Sequence, residues 1–439
     1  MVEILPFKGY RYCKEKVGSF EKAISPPYDV MDMEMLQELH SNPYNVSHII
    51  KGEKKDSDTS SNNQYTRAAE YLKKWIQEGV LVRDEKPCIY VLSQEFEVLG
   101  KKLARTGFIA LIKLEDFCKG GGEECVGVHQ HEETLPKDIE DRLSLLRATE
   151  ANFGQIFCIY TDSDMTVDKL LAKFTVQNPL LKASDDQGVT HKLWKVDDPG
   201  DIGVIQKVLA NRPATIADGH HRYKTAYKYS QESNLEGAQY RMLTFVNTYN
   251  EGLVVLPTHR LVQNLENFSA QDLLEKLSEH FAIETFTIRS RMLSRMKQEF
   301  NEGKHAFGLY VNDGTWYVLT LKSESVMDGI QGRSDAWRKL DVTILHQLIL
   351  DNILGIDKEK LNAGTIGGGS FVEYIKDVGD AVERAVDKVN NQGYQALFFI
   401  NPTRVEEVEA VANNHETMPQ KSTFFYPKVW TGYVINKVE

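Results

Sequence analysis

Ile216-Ala217-Asp218-Gly219-His220-His221-Arg222-Tyr223 begins apolar, turns at Asp-Gly, and then sets two imidazoles and a guanidinium in consecutive positions. A helix-like segment, Tyr223 to Ser230, follows directly. A strand that ends on a glycine turn and opens a helix presents backbone N–H groups to an anion. Arg222 adds a two-pronged contact for phosphate oxygens, and the imidazoles of His220 and His221 titrate near neutral pH. Phosphate is therefore the leading candidate for what sits at this turn. Asp218 has two placements. As the helix N-cap its carboxylate would occupy donors that a phosphate needs; turned outward, it leaves the amides of Gly219, His220 and His221 to an anion. A capped tight turn with two partly exposed histidines is the purely structural alternative.

Outward from the turn, short strand-like runs alternate irregularly with helical periods. Glu3 to Phe7 reads as a strand, and Ile24-Ser25-Pro26-Pro27-Tyr28-Asp29-Val30 reads as a fixed extended loop because paired prolines forbid helix. Gln64 to Glu78 has a helical period closed by Gly79, and two strands, Pro87 to Phe96 and Thr106 to Leu114, flank a turn at Gly100. Asp201 to Asn211 reads as the helix that delivers the chain to the Asp218 turn. Beyond Asn267 the pattern shifts to a hairpin at Asn312-Asp313-Gly314 and a long amphipathic helix, Asp341 to Ile353. This mixture predicts an α+β fold, with an N-terminal region over 1–265 and a second α+β domain over 266–439.

A chain of 439 residues has room for two or three domains. Fifty-two basic against 63 acidic residues give a net charge of −11, which argues against sequence-independent nucleic-acid binding. Five cysteines without a CxxC pair predict reduced thiols and a cytoplasmic setting. Neither a signal-peptide core nor a bilayer-length apolar run is found, so no membrane partner is expected.

Ala217-Asp-Gly-His-His-Arg-Tyr-Lys-Thr-Ala226, with Pro26-Pro27-Tyr28-Asp29-Val30 and Asn42-Pro43-Tyr44, resembles the bacterial and archaeal family known only as domain of unknown function 1015. His131-Glu132 with Thr134 and Pro136, the Arg142…Leu146-Arg147-Ala148-Thr149 helix, Leu256-Pro257-Thr258-His259-Arg260 and Met418-Pro419-Gln420-Lys421-Ser422-Thr423 extend the likeness over almost the whole chain. The GHHR turn also resembles the nucleotide-binding turn of the ParB and sulfiredoxin superfamily, which includes CTP-binding partition proteins, ATP-using sulfiredoxins and free-serine kinases. That resemblance implies a ParB/sulfiredoxin-like core, a nucleotide (ATP, ADP or CTP) with Mg2+, and phosphates on Gly219, His220, His221, Arg222 and Tyr223. His220 stands where sulfiredoxins carry their catalytic Cys, which argues against sulfinic-acid repair. No basic helix-turn-helix suggests partition-type DNA binding.

Three further places carry candidate chemistry. In the loop His129-Gln130-His131-Glu132-Glu133-Thr134, His129 and His131 share a face if the segment is extended. With Cys118 and Cys125 they could hold zinc; the favoured expectation is that His131 and Glu132 approach the Asp218 turn, adding a proton acceptor or a magnesium-directed carboxylate. Asp29 follows the double proline, as a base or as a turn former. Pro257-Thr258-His259-Arg260 reads as a strand exit, with Arg260 expected to line the same cleft. Arg142 and Arg147 read as surface ion-pair residues, and Gly367-Gly368-Gly369 lacks the Lys-Ser/Thr of a Walker loop.

The function expected is a nucleotide-dependent phosphotransferase acting on a small hydroxylated metabolite. Arg222, with its fork facing solvent, and the turn amides would stabilise the transferred phosphoryl; Asp218, Asp29 or Glu132 would orient the attacking hydroxyl, and His220 and His221 would handle protons. The alternatives are a non-catalytic, ParB-like nucleotide switch acting through a homodimer, and a metal-dependent hydrolase built on His129, His131, His220 and His221.

Overall fold

The computed structural model describes residues 2–117, 127–132, 136–363 and 370–439. Cys118, Gly120 to Gly122, Cys125, Glu133, Thr134 and Gly367 to Gly369 lie outside the described residues. The structure is mixed α+β with several sheets, and it divides into two compact units. The first comprises 1–130, 134–254 and 427–439, and the second 131–133 and 255–426. The boundary thus precedes the expected one at 265. Strand Thr258–Val262 pairs on one side with Val372–Lys376 and on the other with Ala396–Phe399, which commits it to the second unit's sheet.

In the first unit most of the described strands form one mixed sheet. Its order is Val128–His129, Ala214–Asp218, Ile156–Tyr160, Tyr240–Asn247, Lys101–Lys113, Ile89–Val98, Thr190–Val196 and Leu181–Ser184, with Ile4–Leu5 added beside Lys101–Lys113. The long central hairpin turns at Leu99 and Gly100, both at positive φ, as a tight two-residue turn requires. Gly107 sits where this hairpin meets Tyr240–Asn247; a Cβ there would stand 2.2 Å from the Phe245 carbonyl oxygen. Helices Thr166–Thr175, Pro199–Leu209 and His220–Glu232 send Leu170, Leu171, Ile205, Leu209, Tyr223 and Ala226 into a core with Phe108, Ile156, Ile216 and Phe245. Helix Pro136–Thr149 packs against His220–Glu232 through Leu143, Leu146 and Tyr229.

The C-terminal segment closes this unit. Thr431 pairs with Ser25, Ile435 with Tyr10, and Asn436–Lys437 with Ala151–Asn152. Arg105 donates to the Pro427 carbonyl and Gln94 to that of Lys428 (2.9 Å), which fixes the position of the Lys428 side chain.

The second unit holds an antiparallel sheet ordered Phe281–Phe286, Trp316–Leu321, Ala306–Tyr310, Ala396–Phe399, Thr258–Val262 and Val372–Lys376. Asn312 and Gly314 have positive φ at the hairpin that the Asn-Asp-Gly sequence predicts. The expected helix Asp341 to Ile353 starts as α-helix over Asp341–Ile344 and then widens to a π-helix over Leu345–Ile353. No described helix is long and apolar enough to cross a membrane.

Candidate functional site

Ala214, Thr215, Ile216 and Ala217 are buried because their strand is flanked on both sides. A register shift between Ile216 and Asp218 ends the regular pairing, and Gly219 takes φ +103°, a conformation that penalises any Cβ. Helix His220–Glu232 starts there, and no side chain caps it. Asp218 turns to Lys428, whose Nζ donates to Oδ2 at 2.8 Å, while an Arg222 Nη lies 3.9 Å from Oδ1. Burial works against ionising Asp218. The charges of Lys428 and then Arg222 more than offset it, and hold the carboxyl well below its usual range.

Arg222 does not project into solvent, in contrast to the sequence expectation. Its side chain is 12 % exposed and donates to the Gln155 carbonyl, so the guanidinium folds back over the Gly154-Gln155 backbone. The space above Gly219 is filled by that guanidinium, 3.0 Å from where a Cβ would stand. There it joins two other arginines around one cleft.

This cleft holds about 530 Å3, mouth included, and its walls include Tyr28, Gly154, Thr225 and Thr431 along with Arg142, Arg222 and Arg241. Arg142 lies over the Tyr28 ring at 4.0 Å, donates to the Ile50 carbonyl at 2.7 Å, and pairs with Asp141. Arg241 is 6 % exposed; one Nη donates to the Gly154 carbonyl at 2.8 Å, and its Nε has no hydrogen-bond partner. It has no acidic partner among the described residues, and none of the residues lining the cleft is acidic. Burial and then the nearby charge of Arg222 pull the Arg241 guanidinium down to about 9, still protonated at neutral pH. The amide of Gln155, 1 % exposed, also lacks partners for both its nitrogen and its oxygen. A buried unpaired cation beside two others is costly unless an anion completes it.

The other sequence candidates fall elsewhere. His220 is buried at the helix start and His221 is half-buried, with Tyr223 in the core donating to the Glu115 carbonyl at 2.9 Å. Asp29 is exposed on a single turn of helix, and it is Pro27 and Tyr28 that wall the cleft. His129 sits opposite Thr215 at the edge of the first unit's sheet, whereas His131, Glu132 and Arg260 belong to the second unit. There His131 is fully buried against Thr423 Oγ1 at 3.0 Å, and Glu132 accepts from the Lys421 amide at 3.0 Å. Arg260 is no strand-exit residue but lies 1 % exposed within Thr258–Val262, bonded to His346 and to the Thr258 and Lys421 carbonyls.

Arg142, read from sequence as a surface residue, is a cleft wall; Arg147 is exposed and pairs with Glu232 and Glu140. Sequence reading missed Arg241, Lys428 and Gly154. An arginine inside the apolar run Arg241-Met-Leu-Thr-Phe-Val-Asn247 was the one signal available for Arg241, since arginine is rarely buried without a purpose. Among the described residues no group of three or more His, Cys, Asp or Glu could hold a metal ion. Of the carboxylates considered for Mg2+, Asp218 is engaged by Lys428, Asp29 is exposed, and Glu132 belongs to the second unit.

No curated protein matches the chain. Solved structures similar to it include a conserved hypothetical protein from Pyrococcus furiosus, at 12% identity, covering 69% of this chain and 88% of that one with a TM-score of 0.32. A mutant free serine kinase in complex with ADP is 12% identical, covers 71% and 88%, and has a TM-score of 0.35. SbnI from Staphylococcus aureus with a C-terminal truncation is 12% identical over 69% and 80%, with a TM-score of 0.31. The family described as "Protein of unknown function (DUF1015)" matches residues 4–343, which takes in the whole Ala214–Glu232 strand–turn–helix and all three cleft arginines, and the chain belongs to that family.

Proposed function

We propose that this protein binds a nucleotide by its phosphates in the three-arginine cleft and transfers a phosphoryl group to a small hydroxylated metabolite. The observation that carries this reading is Arg241: a buried, protonated guanidinium whose Nε has no partner, on a residue lining a cleft that contains no carboxylate. An oxyanion with several charges and a tetrahedral set of oxygens matches that demand, and arginine forks are the side chains best suited to grip it. Arg222 joins the cleft to the Gly219 turn, where a ParB/sulfiredoxin-like core would place the phosphates; ATP, ADP and CTP are the nucleotides this reading admits.

In the transfer, the acceptor hydroxyl oxygen attacks the terminal phosphorus as the bond to the nucleotide oxygen breaks, and the hydroxyl proton leaves to a base. Arg222 and Arg241 supply positive charge where charge on the transferred group spreads in the transition state. Asp218 is kept ionised by Lys428 and Arg222, which suits it to orient a hydroxyl through a hydrogen bond.

The test is phosphorus NMR of the full chain with ATP, ADP or CTP and a panel of small hydroxylated metabolites. A new phosphomonoester signal that is lost in Asp218→Asn supports the transferase reading. Nucleotide binding without turnover favours the switch alternative, and no binding of any nucleotide overturns the proposal.

A further inference from the structure

The second unit has a pocket of its own, about 900 Å3 with its mouth included, that the phosphate chemistry above does not use. Trp337 and Tyr374 give it aromatic walls, with Ile356, Leu361 and Met418 adding apolar surface. Its polar lining includes His346, Gln347 and Asp351 from the π-helix Leu345–Ile353, together with Lys358 and with Arg333, which lies over the Trp337 ring at 4.8 Å. In a π-helix each turn closes on the fifth residue, so His346 and Asp351 stand one turn apart on the same face. An α-helix would rotate them apart. The widened turn is what brings both to the pocket.

The protonation of His346 follows from its partner. Arg260 donates from Nε (3.2 Å) and Nη (3.0 Å) to His346 Nε2. An arginine has donors only, so Nε2 must accept, and the imidazole hydrogen must sit on Nδ1. Burial, together with the Arg260 charge, pushes the imidazole well below its ordinary range, which keeps it neutral. His346 is 4 % exposed, and its hydrogen bonds run through Nε2 alone, leaving an Nδ1–H donor unmatched on a residue that lines the pocket. Asp351 offers the complement: a half-buried carboxylate with no hydrogen-bond or ion-pair partner among the described residues.

We infer that this pocket binds a planar nitrogen heterocycle of nucleobase size. Its edge would offer a ring-nitrogen acceptor to His346 and an adjacent N–H donor to Asp351, with Gln347 as a further contact. Three features select this class. Aromatic walls suit a flat ring; a fixed donor beside a fixed acceptor reads a donor–acceptor edge, as base-recognising pockets do; and apolar surface combined with convergent polar groups is the usual build of a small-molecule site. The inference does not depend on the nucleotide reading of the first unit.

Calorimetric titration of the full chain with adenine, cytosine and 2-aminopyridine, each separately, tests it. At least one should bind, and Asp351→Asn and Gln347→Ala should each weaken that binding by about tenfold or more. Arg222→Ala, in the first unit, should leave it unchanged. If no probe binds at millimolar concentration, or if binding is indifferent to both pocket variants, the inference is wrong. The two variants change a half-buried position each, so loss of one to misfolding leaves the other as the test.

Discussion

Replacing Arg241 with methionine should raise stability and weaken anion binding at the same time. A guanidinium held at about 9 has lost several powers of ten in proton affinity, a penalty on the order of 4–5 kcal/mol for carrying charge in the cleft. Its folded value is depressed, so the unfolded chain binds the proton more tightly. The penalty is therefore fully in force at neutral pH and is relieved only as pH climbs past about 9. Methionine keeps much of the volume, removes the charge, and also frees Arg222 from a like-charged neighbour. Against this stands the hydrogen bond to the Gly154 carbonyl, which is worth about 1.5–3 kcal/mol as a charged pair. The balance is a gain of about 2 kcal/mol, or roughly 4–8 °C in the melting temperature of a unit of this size. Thermal and urea unfolding of the ligand-free chain at neutral pH reads the first effect. Calorimetric titration with pyrophosphate and ADP reads the second, expected as a loss of tenfold to about a hundredfold in affinity. A variant that is less stable without ligand, or that binds these anions as wild type does, would refute the reasoning.

The remaining predictions concern the turn and the sheet. Gly219→Ala forces a side chain into a positive-φ position and to within 3.0 Å of the Arg222 guanidinium, so it should cost about 1–3 kcal/mol in urea unfolding and weaken ADP binding together. Asp218→Asn should leave nucleotide binding within about threefold while removing product formation. Because the Asp218 carboxyl is held below its ordinary range, its stabilising contribution is complete above about pH 4 and is lost as pH falls further. Unfolding midpoints of wild type and Asp218→Asn should therefore converge in acid; a gap that persists there would contradict the ion pair. Gly107→Ala drives a Cβ to 2.2 Å from the Phe245 carbonyl between two central strands, where backbone cannot yield, so its unfolding midpoint should fall by an amount worth about 1–3 kcal/mol.

Local signals in the chain predicted local structure well. The Asp-Gly turn between an apolar run and a helix, the Asn-Asp-Gly hairpin and the strand pair around Gly100 all act within a few residues, where steric limits on φ decide the outcome. What the cleft depends on is not local. Arg241 comes from a central strand, Gly154 from the loop before Ile156, Arg142 from a helix packed on His220–Glu232, and Lys428 from the closing segment; only folding brings them to one unit. Arg142 illustrates the limit: its helical spacing among leucines fits a surface ion pair equally well, and its stacking on Tyr28 across more than a hundred residues leaves no periodic trace. Thr258–Val262 shows the opposite error. Its polar residues suggested an exit loop, yet pairing on both sides buries them, with Arg260 satisfied by partners that sequence spacing does not reveal. The π-helix was equally hidden, because its apolar pattern is compatible with an ordinary α-helix.

The central claim is that Arg222 and Arg241 are waiting for phosphate oxygens. A crystal structure of the full chain with ADP tests it most directly. The account predicts phosphate oxygens within hydrogen-bonding distance of the Arg241 and Arg222 guanidinium groups. ADP bound with its phosphates away from both arginines, or a cleft occupied by water alone at saturating ADP, would contradict it.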